Sequence, residues 1–250
     1  MFLSQKVSKS YNRFLRRIIF VGAIVGFFAI PTHALTAAEI ISRARLLIND
    51  TSADTTRQRF SDAQLLAYLN DGQREANAFS WVLRSSYTFS LTAGTQEYAL
   101  PTNFLATWRV LLDNKKIDQT SLNELDANSV GWRTVTGKPQ KYYIYLAQTT
   151  QIGFFPTPTS TSTGTVVVYL MHQPTELTAT TQTPFDGWTV LYPYHSGLSY
   201  YIAYRCYMVQ EQSDMATPYF NEWALYIQSL KEAAYKLPDF NPGLGGRRTQ

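Results

Sequence analysis

The stretch FSDAQLLAYLNDGQREANAF, Phe60 to Phe79, decides how this chain is read. At its centre sits Asn70-Asp71-Gly72, a triplet that normally marks a turn. A turn there would end one element near Leu69 and start another near Gln73. The apolar and small residues argue against that. Leu65, Leu69, Gly72, Ala76, Phe79 and Leu83 advance by four, three, four, three and four positions, which is the spacing of one helix face. Asn70, Asp71, Gln73 and Arg74 fall off this stripe. Ser61 and Gln64 have capping-box spacing at its start. The pattern predicts one unbroken helix of about eighteen residues. Gly72 inside such a helix costs about 1 kcal/mol relative to Ala. Close packing at Gly72 and Ala76 would compensate, against a helix from the same chain or from a neighbouring one. A tolerated glycine without a packing role is the plainer alternative. Leu69, Gly72 and Ala76 are accordingly the candidate subunit-packing residues.

Upstream, Thr36 and Glu39 form a second capping-box pair, and Ile40, Ile41, Ala44, Leu47 and Ile48 follow at helical spacing. Asn49 to Gln58 is a polar loop. Far downstream, Leu198, Ile202, Arg205, Cys206 and Val209 mark another helix. Pro218, capped by Thr217, is placed to open a last one, with Trp223, Ile227, Leu230 and Ala234 on its inner face. Between these helical parts the chain turns β-branched and aromatic, as strands require. Tyr87 to Tyr98 reads as a hairpin through Thr92-Ala93-Gly94-Thr95. Asp113-Asn114 joins two short strands, and a brief helix begins near Ser121. Residues 141–158 form a second hairpin, and residues 165–174 a further strand. The expected fold class is α+β: a helical bundle formed by the N- and C-terminal helices, residues 35–84 and 190–237, with an inserted antiparallel β-rich domain at 85–189. Residues 238–250 are a Pro/Gly-rich extended tail.

Composition narrows the function classes. Of 250 residues, 45% are hydrophobic and 16% charged, enough apolar material for a packed core rather than disorder. The pI near 9.0 comes from the first 34 residues. They hold Lys6, Lys9, Arg13, Arg16 and Arg17 and no acid, so of the net +4 the rest of the chain holds −1. The body has no basic surplus for a nucleic-acid footprint. The basic start, the uncharged run Ile18 to Ile30, and the small residues Thr32 and Ala34 match a secretory signal peptide. Thirteen helical residues span about 20 Å, short of the roughly 30 Å bilayer core.

No residue constellation nominates an enzyme. His195 and Ser196 are adjacent, but nothing supplies the carboxylate of a triad. His172 closes a strand. Glu97, Glu124 and Asp126 could pair as acid and base only by an accident of folding. Residues 159–164, TSTSTG, lead into a strand, so they are not a phosphate loop. The single cysteine, Cys206, reads as a small hydrophobe on a helix face. With His33, His172 and His195 far apart, there is no zinc spacing. The expectation is a protein without catalytic residues, cofactor or metal.

Four pieces in order carry a resemblance: RFSDAQLLAYLNDGQREA, LTAGTQEYALPTNF, TGKPQKYYI and IGFFPTP, followed by a helical pair. Together, over roughly Ala37 to Lys236, they resemble the head-to-tail adaptor (connector) proteins of tailed bacteriophages. The resemblance implies a non-enzymatic ring, commonly twelve-fold, beneath the portal protein. It would join the portal to tail components, nozzle or tail-tube proteins, and continue the DNA channel with transient, non-specific DNA passage. It implies a place in the virion neck after assembly in the host cytoplasm. The C-terminal segment would dock on the portal, with Phe240 and Leu244 as apolar anchors and Arg247 and Arg248 pairing acidic groups. The leader departs from this pattern, because a cytoplasmic assembly has no use for a signal peptide. Taken alone it suggests secretion, and the alternative is a secreted or periplasmic β-rich binding module.

Overall fold

A computed structural model describes residues 33–146 and 149–236. The leader therefore falls almost wholly outside the described residues, as does the tail from 237 onward with Phe240, Leu244, Arg247 and Arg248. The described chain is α+β. Its first helices are α1 (Ala37–Leu47) and α2 (Asp62–Ser80), each opened by the capping box read from the sequence: Thr36 with Glu39, and Ser61 with Gln64. Helix α2 runs unbroken through Asn70-Asp71-Gly72. Eight strands follow: β1 (Arg84–Ser90), β2 (Glu97–Ala99), β3 (Phe104–Leu112), β4 (Lys115–Lys116), β5 (Asp118–Gln119), β6 (Lys141–Leu146), β7 (Thr150–Phe155) and β8 (Thr165–His172). A short helix α3 (Leu122–Asn128), capped by Ser121, interrupts them. A 3-10 stretch, Thr189–Gly197, then leads into α4 (Leu198–Val209) and α5 (Ser213–Lys236).

The strands form two four-stranded sheets, ordered β1-β8-β3-β4 and β2-β7-β6-β5. All pairs are antiparallel except β5 with β6. Their facing sides share one apolar core, including Val110, Val168 and Leu170 from one sheet and Tyr142, Ile152 and Phe154 from the other. Trp132, Tyr143 and Leu125 fill a smaller cluster on the far side of the second sheet. The four long helices share a separate core, with Leu65, Leu69, Ile202, Cys206, Trp223 and Leu230 in it. Helix α4 is its hub, packed against α1, α2 and α5.

Several expectations need correction. Residues 87–98 are not a hairpin: β1 pairs with β8 and β2 with β7, so this segment crosses from one sheet to the other. Its turn is held by the Tyr98 hydroxyl, which accepts from Thr92 N at 2.8 Å and donates to Thr95 O at 3.0 Å. Helix α5 opens at Ser213, five residues before Pro218, and Thr217 is not its cap. Met215 N and Ala216 N already donate to Gln212 O, and the proline removes a single bond from the second turn. Phe79 is exposed in the last turn of α2, where the Lys231 ammonium of α5 lies 5.6 Å from the centre of its ring. The second hairpin, β6 with β7, and the Asp113-Asn114 turn, with both residues at positive φ, are as expected.

The approach to Gly72 is intramolecular. A Cβ on Gly72 would lie 2.9 Å from Cδ1 and 3.2 Å from Cγ of Tyr201 on α4. Leu69 and Ala76 are fully buried in the same core. All three face the interior of this chain, and contact with a second subunit through them would require α4 to leave. The Tyr201 ring cannot swing aside freely, because Trp223 sits 4.8 Å from it. Replacement Gly72→Ala should therefore lower stability by about 1 kcal/mol: overpacking of roughly 1–3 kcal/mol outweighs the gain of about 1 kcal/mol in helix propensity. Gly72→Leu should cost much more. Thermal unfolding followed by circular dichroism checks both, and a rise in Tm for Gly72→Ala would show that the ring does yield.

Candidate functional site

The most organised polar feature is a row of amides on α2. Asn70, Gln73 and Asn77 are buried, although the first two fall off the apolar stripe of the helix. Asn70 and Gln73 serve a backbone that lies outside the two sheets, and Asn77 serves the end of β8 and the residue before β1. Asn70 accepts from Leu177 N at 2.8 Å and donates to Leu177 O at 2.9 Å. Gln73 donates to Thr175 O at 3.0 Å and to Asn70 Oδ1 at 2.9 Å, and accepts from Phe185 N at 3.1 Å. Asn77 accepts from Leu83 N at 2.9 Å and donates to His172 O at 2.7 Å. Leu83 immediately precedes β1, and His172 ends β8. A single side chain thus clamps both points where the chain passes between helices and sheets.

The sequence carries a signal for this row. Positions 70, 73 and 77 repeat at three and four, one residue behind Leu69, Gly72 and Ala76. Polar residues at that spacing signal a second buried face, provided that something irregular must be satisfied there.

The other pieces of the resemblance also turn out to be junctions. Gly94, at φ +75°, donates to Pro158 O at 2.8 Å. Phe154 N donates to Gln96 O at 3.0 Å, and Leu100 N donates to Thr150 O at 3.0 Å. Thr136 bridges Thr157 in parallel fashion, with Gly137 N on Thr157 O at 2.9 Å. AGTQEYALP, TGKP and FFPTP therefore meet along one edge of the second sheet. At the opposite end of the chain, buried Arg45 ties the 48–61 loop to both first helices. It reaches Asp50 at 2.9 Å, Phe60 O at 2.9 Å and Asp62 at 2.7 Å.

The titratable candidates all have structural partners. Glu97 accepts from the Tyr143 and Tyr145 hydroxyls at 3.0 and 2.5 Å. Glu124 pairs with Lys141 and Thr120, which hold its carboxyl below the usual range. Asp126 accepts from the Trp132 indole at 2.7 Å. His172 sits 3.6 Å from Asp186. Cys206 is fully buried, and desolvation pushes its thiol up to about 12, so it stays protonated. His195 Nδ1 accepts from Leu35 N at 3.2 Å. It anchors the start of the body instead of activating a hydroxyl; Ser199 Oγ, close by in sequence, donates to Ser196 O. Desolvation outweighs that bond and holds the imidazole down to about 4.

The family model for "SU10 adaptor protein" matches residues 35–242. The chain belongs to the SU10 adaptor protein family. It is thus a phage structural adaptor, a virion component by family. A search of curated proteins gives no match. The match opens at Leu35, the residue that the adaptor fixes to His195, and includes Phe240 but not Leu244, Arg247 or Arg248.

Two measurements test this reading of the adaptor. Asn77→Ala leaves Leu83 N and His172 O buried without partners, and should cost about 2–4 kcal/mol. Exposed Arg74→Ala removes only a surface pair and should stay within about 0.5 kcal/mol. Urea unfolding of both variants checks the contrast. His195 is neutral in the fold, with its ordinary value near 6.5 lowered to about 4. The unfolded chain therefore takes up the proton first as pH falls. The contribution of His195 is complete above about pH 6.5 and is lost between about 6.5 and 4, on the order of 3 kcal/mol in all. His195→Gln should flatten the stability profile across that window and not above it.

Proposed function

We propose that the chain closes into a ring, commonly twelve-fold in such proteins, which joins the portal to the tail and continues the channel for DNA. The match across residues 35–242 carries this reading. In it the helices of residues 35–84 and 190–237 form a bundle at the portal side, and the β-rich region 85–189 is an insertion facing nozzle or tail-tube proteins. The physical features agree. A closing ring needs two different faces on one subunit. The exposed side chains Met208, Val209, Met215 and Phe220 cluster around the α4–α5 turn, and exposed apolar groups of this kind serve contacts. Val130 and Leu146 are similarly uncovered on the β side. Clamping at Asn77 lets load pass between the two regions without a flexible linker. DNA passage would be non-specific, since the chain beyond residue 34 carries −1 of the net +4. The C-terminal segment would dock on the portal through Phe240, Leu244, Arg247 and Arg248.

Mixing the full chain with its portal protein should give rings on portal particles in negative-stain images. A chain ending at Lys236 should lose at least tenfold in portal affinity and form few rings. Equal binding by the shortened chain would remove the docking role. Failure of the full chain to bind any portal particle would remove the adaptor arrangement itself.

A further inference from the structure

A groove of about 630 Å³ lies between α1, the 3-10 stretch and α5. That is the liquid volume of about 20 waters, room for several apolar side chains. Leu46, Tyr194, Tyr200 and Leu225 line it, with Arg43 and Glu222 as its charged lining residues. Leu46 and Leu225 are 70% and 65% exposed, a large uncovered apolar surface for two residues that line one groove.

The chain itself leads to this groove. Leu35 is buried and bonded to His195, while Pro193, Tyr194, Ser196 and Gly197 on either side of His195 form one wall. Leu35, preceded by exposed His33, therefore lies beside that wall. Leu46 lies about 14 Å along α1 from Ala37. The five steps from Leu35 back to Ile30 reach about 17 Å. Beyond them lie thirteen uncharged residues, Ile18 to Ile30, with Phe20, Phe27 and Phe28 among them. Gly22, Ala23 and Gly26 allow close approach, and Arg16 and Arg17 precede them as complements to Glu222. The C-terminal residues fit less well. Their apolar groups, Leu237, Phe240 and Leu244, are interrupted by Pro238, Asp239 and Pro242.

We propose that the Ile18–Ile30 segment packs into the Leu46–Tyr200–Leu225 groove of its own chain as a strap. It stays with the protein as an apolar cover and is not removed as a signal peptide. The inference does not depend on ring formation or on the portal.

The test uses the full chain, with buried Cys206 silent. Phe27→Cys carries an environment-sensitive fluorophore, and Phe27→Cys with Leu225→Cys is oxidised. The expected results are blue-shifted emission that moves to the red when Leu46→Glu is added, and a disulfide within the monomer in most molecules. Because Leu46 and Leu225 are exposed, these substitutions leave the fold intact, which circular dichroism verifies. Emission as in water with or without Leu46→Glu would overturn the proposal. So would disulfides only between chains, or a purified protein whose N-terminus lies at Leu35.

Discussion

The structure depends on how α2 satisfies a backbone that no strand pairs. Between β8 and the 3-10 stretch the chain runs irregularly past α2, from His172 to Phe185. Gln173, Thr175, Glu176 and Thr178 are exposed, but His172, Leu177 and Phe185 are buried, and an unpaired buried peptide group costs about 1–3 kcal/mol. Asn70, Gln73 and Asn77 supply the missing partners, with donors and acceptors used at once. A primary amide can do both in one plane. A hydroxyl is too short, and a carboxylate could only accept.

Everything else is arranged around that seam. The apolar face of α2 turns one step from the amides and meets α4 through Gly72, which lets Tyr201 lie against the helix backbone. The sheets need no help from the helices for their own core, yet their entry and exit strands meet at Asn77. Motifs that could be mistaken for chemistry, AGTQEYALP and FFPTP, close the second sheet by backbone bonds. For an adaptor this is apt. Its most organised polar groups lie inside and hold the chain together.

Much of this was legible in the sequence. Helix α2 was readable through its turn-like triplet because Leu65 to Ala76 keep helical register, and both capping boxes were readable because their spacing is local. The resemblance rested on motif order, and the family match agrees with it. What stayed hidden was non-local. Tyr87 and Tyr98 flank a turn, yet nothing near them says that their strands join opposite sheets. Asn70 and Gln73 look like solvent-facing residues until the segment 172–185 lies over them. The subunit-packing residues looked free for the same reason: Tyr201 is 129 positions from Gly72, and no local pattern links the two.

Native-state hydrogen exchange gives the most direct test of the seam. The amides of Leu83 and Leu177 lie outside every helix and strand, and that of Phe185 opens a short 3-10 turn, Phe185–Gly187, yet each donates to a side chain of α2. They should exchange as slowly as the central amides of α2, because freeing them means pulling the two halves apart. Exchange at the rate of an open loop, while α2 stays protected, would contradict the account.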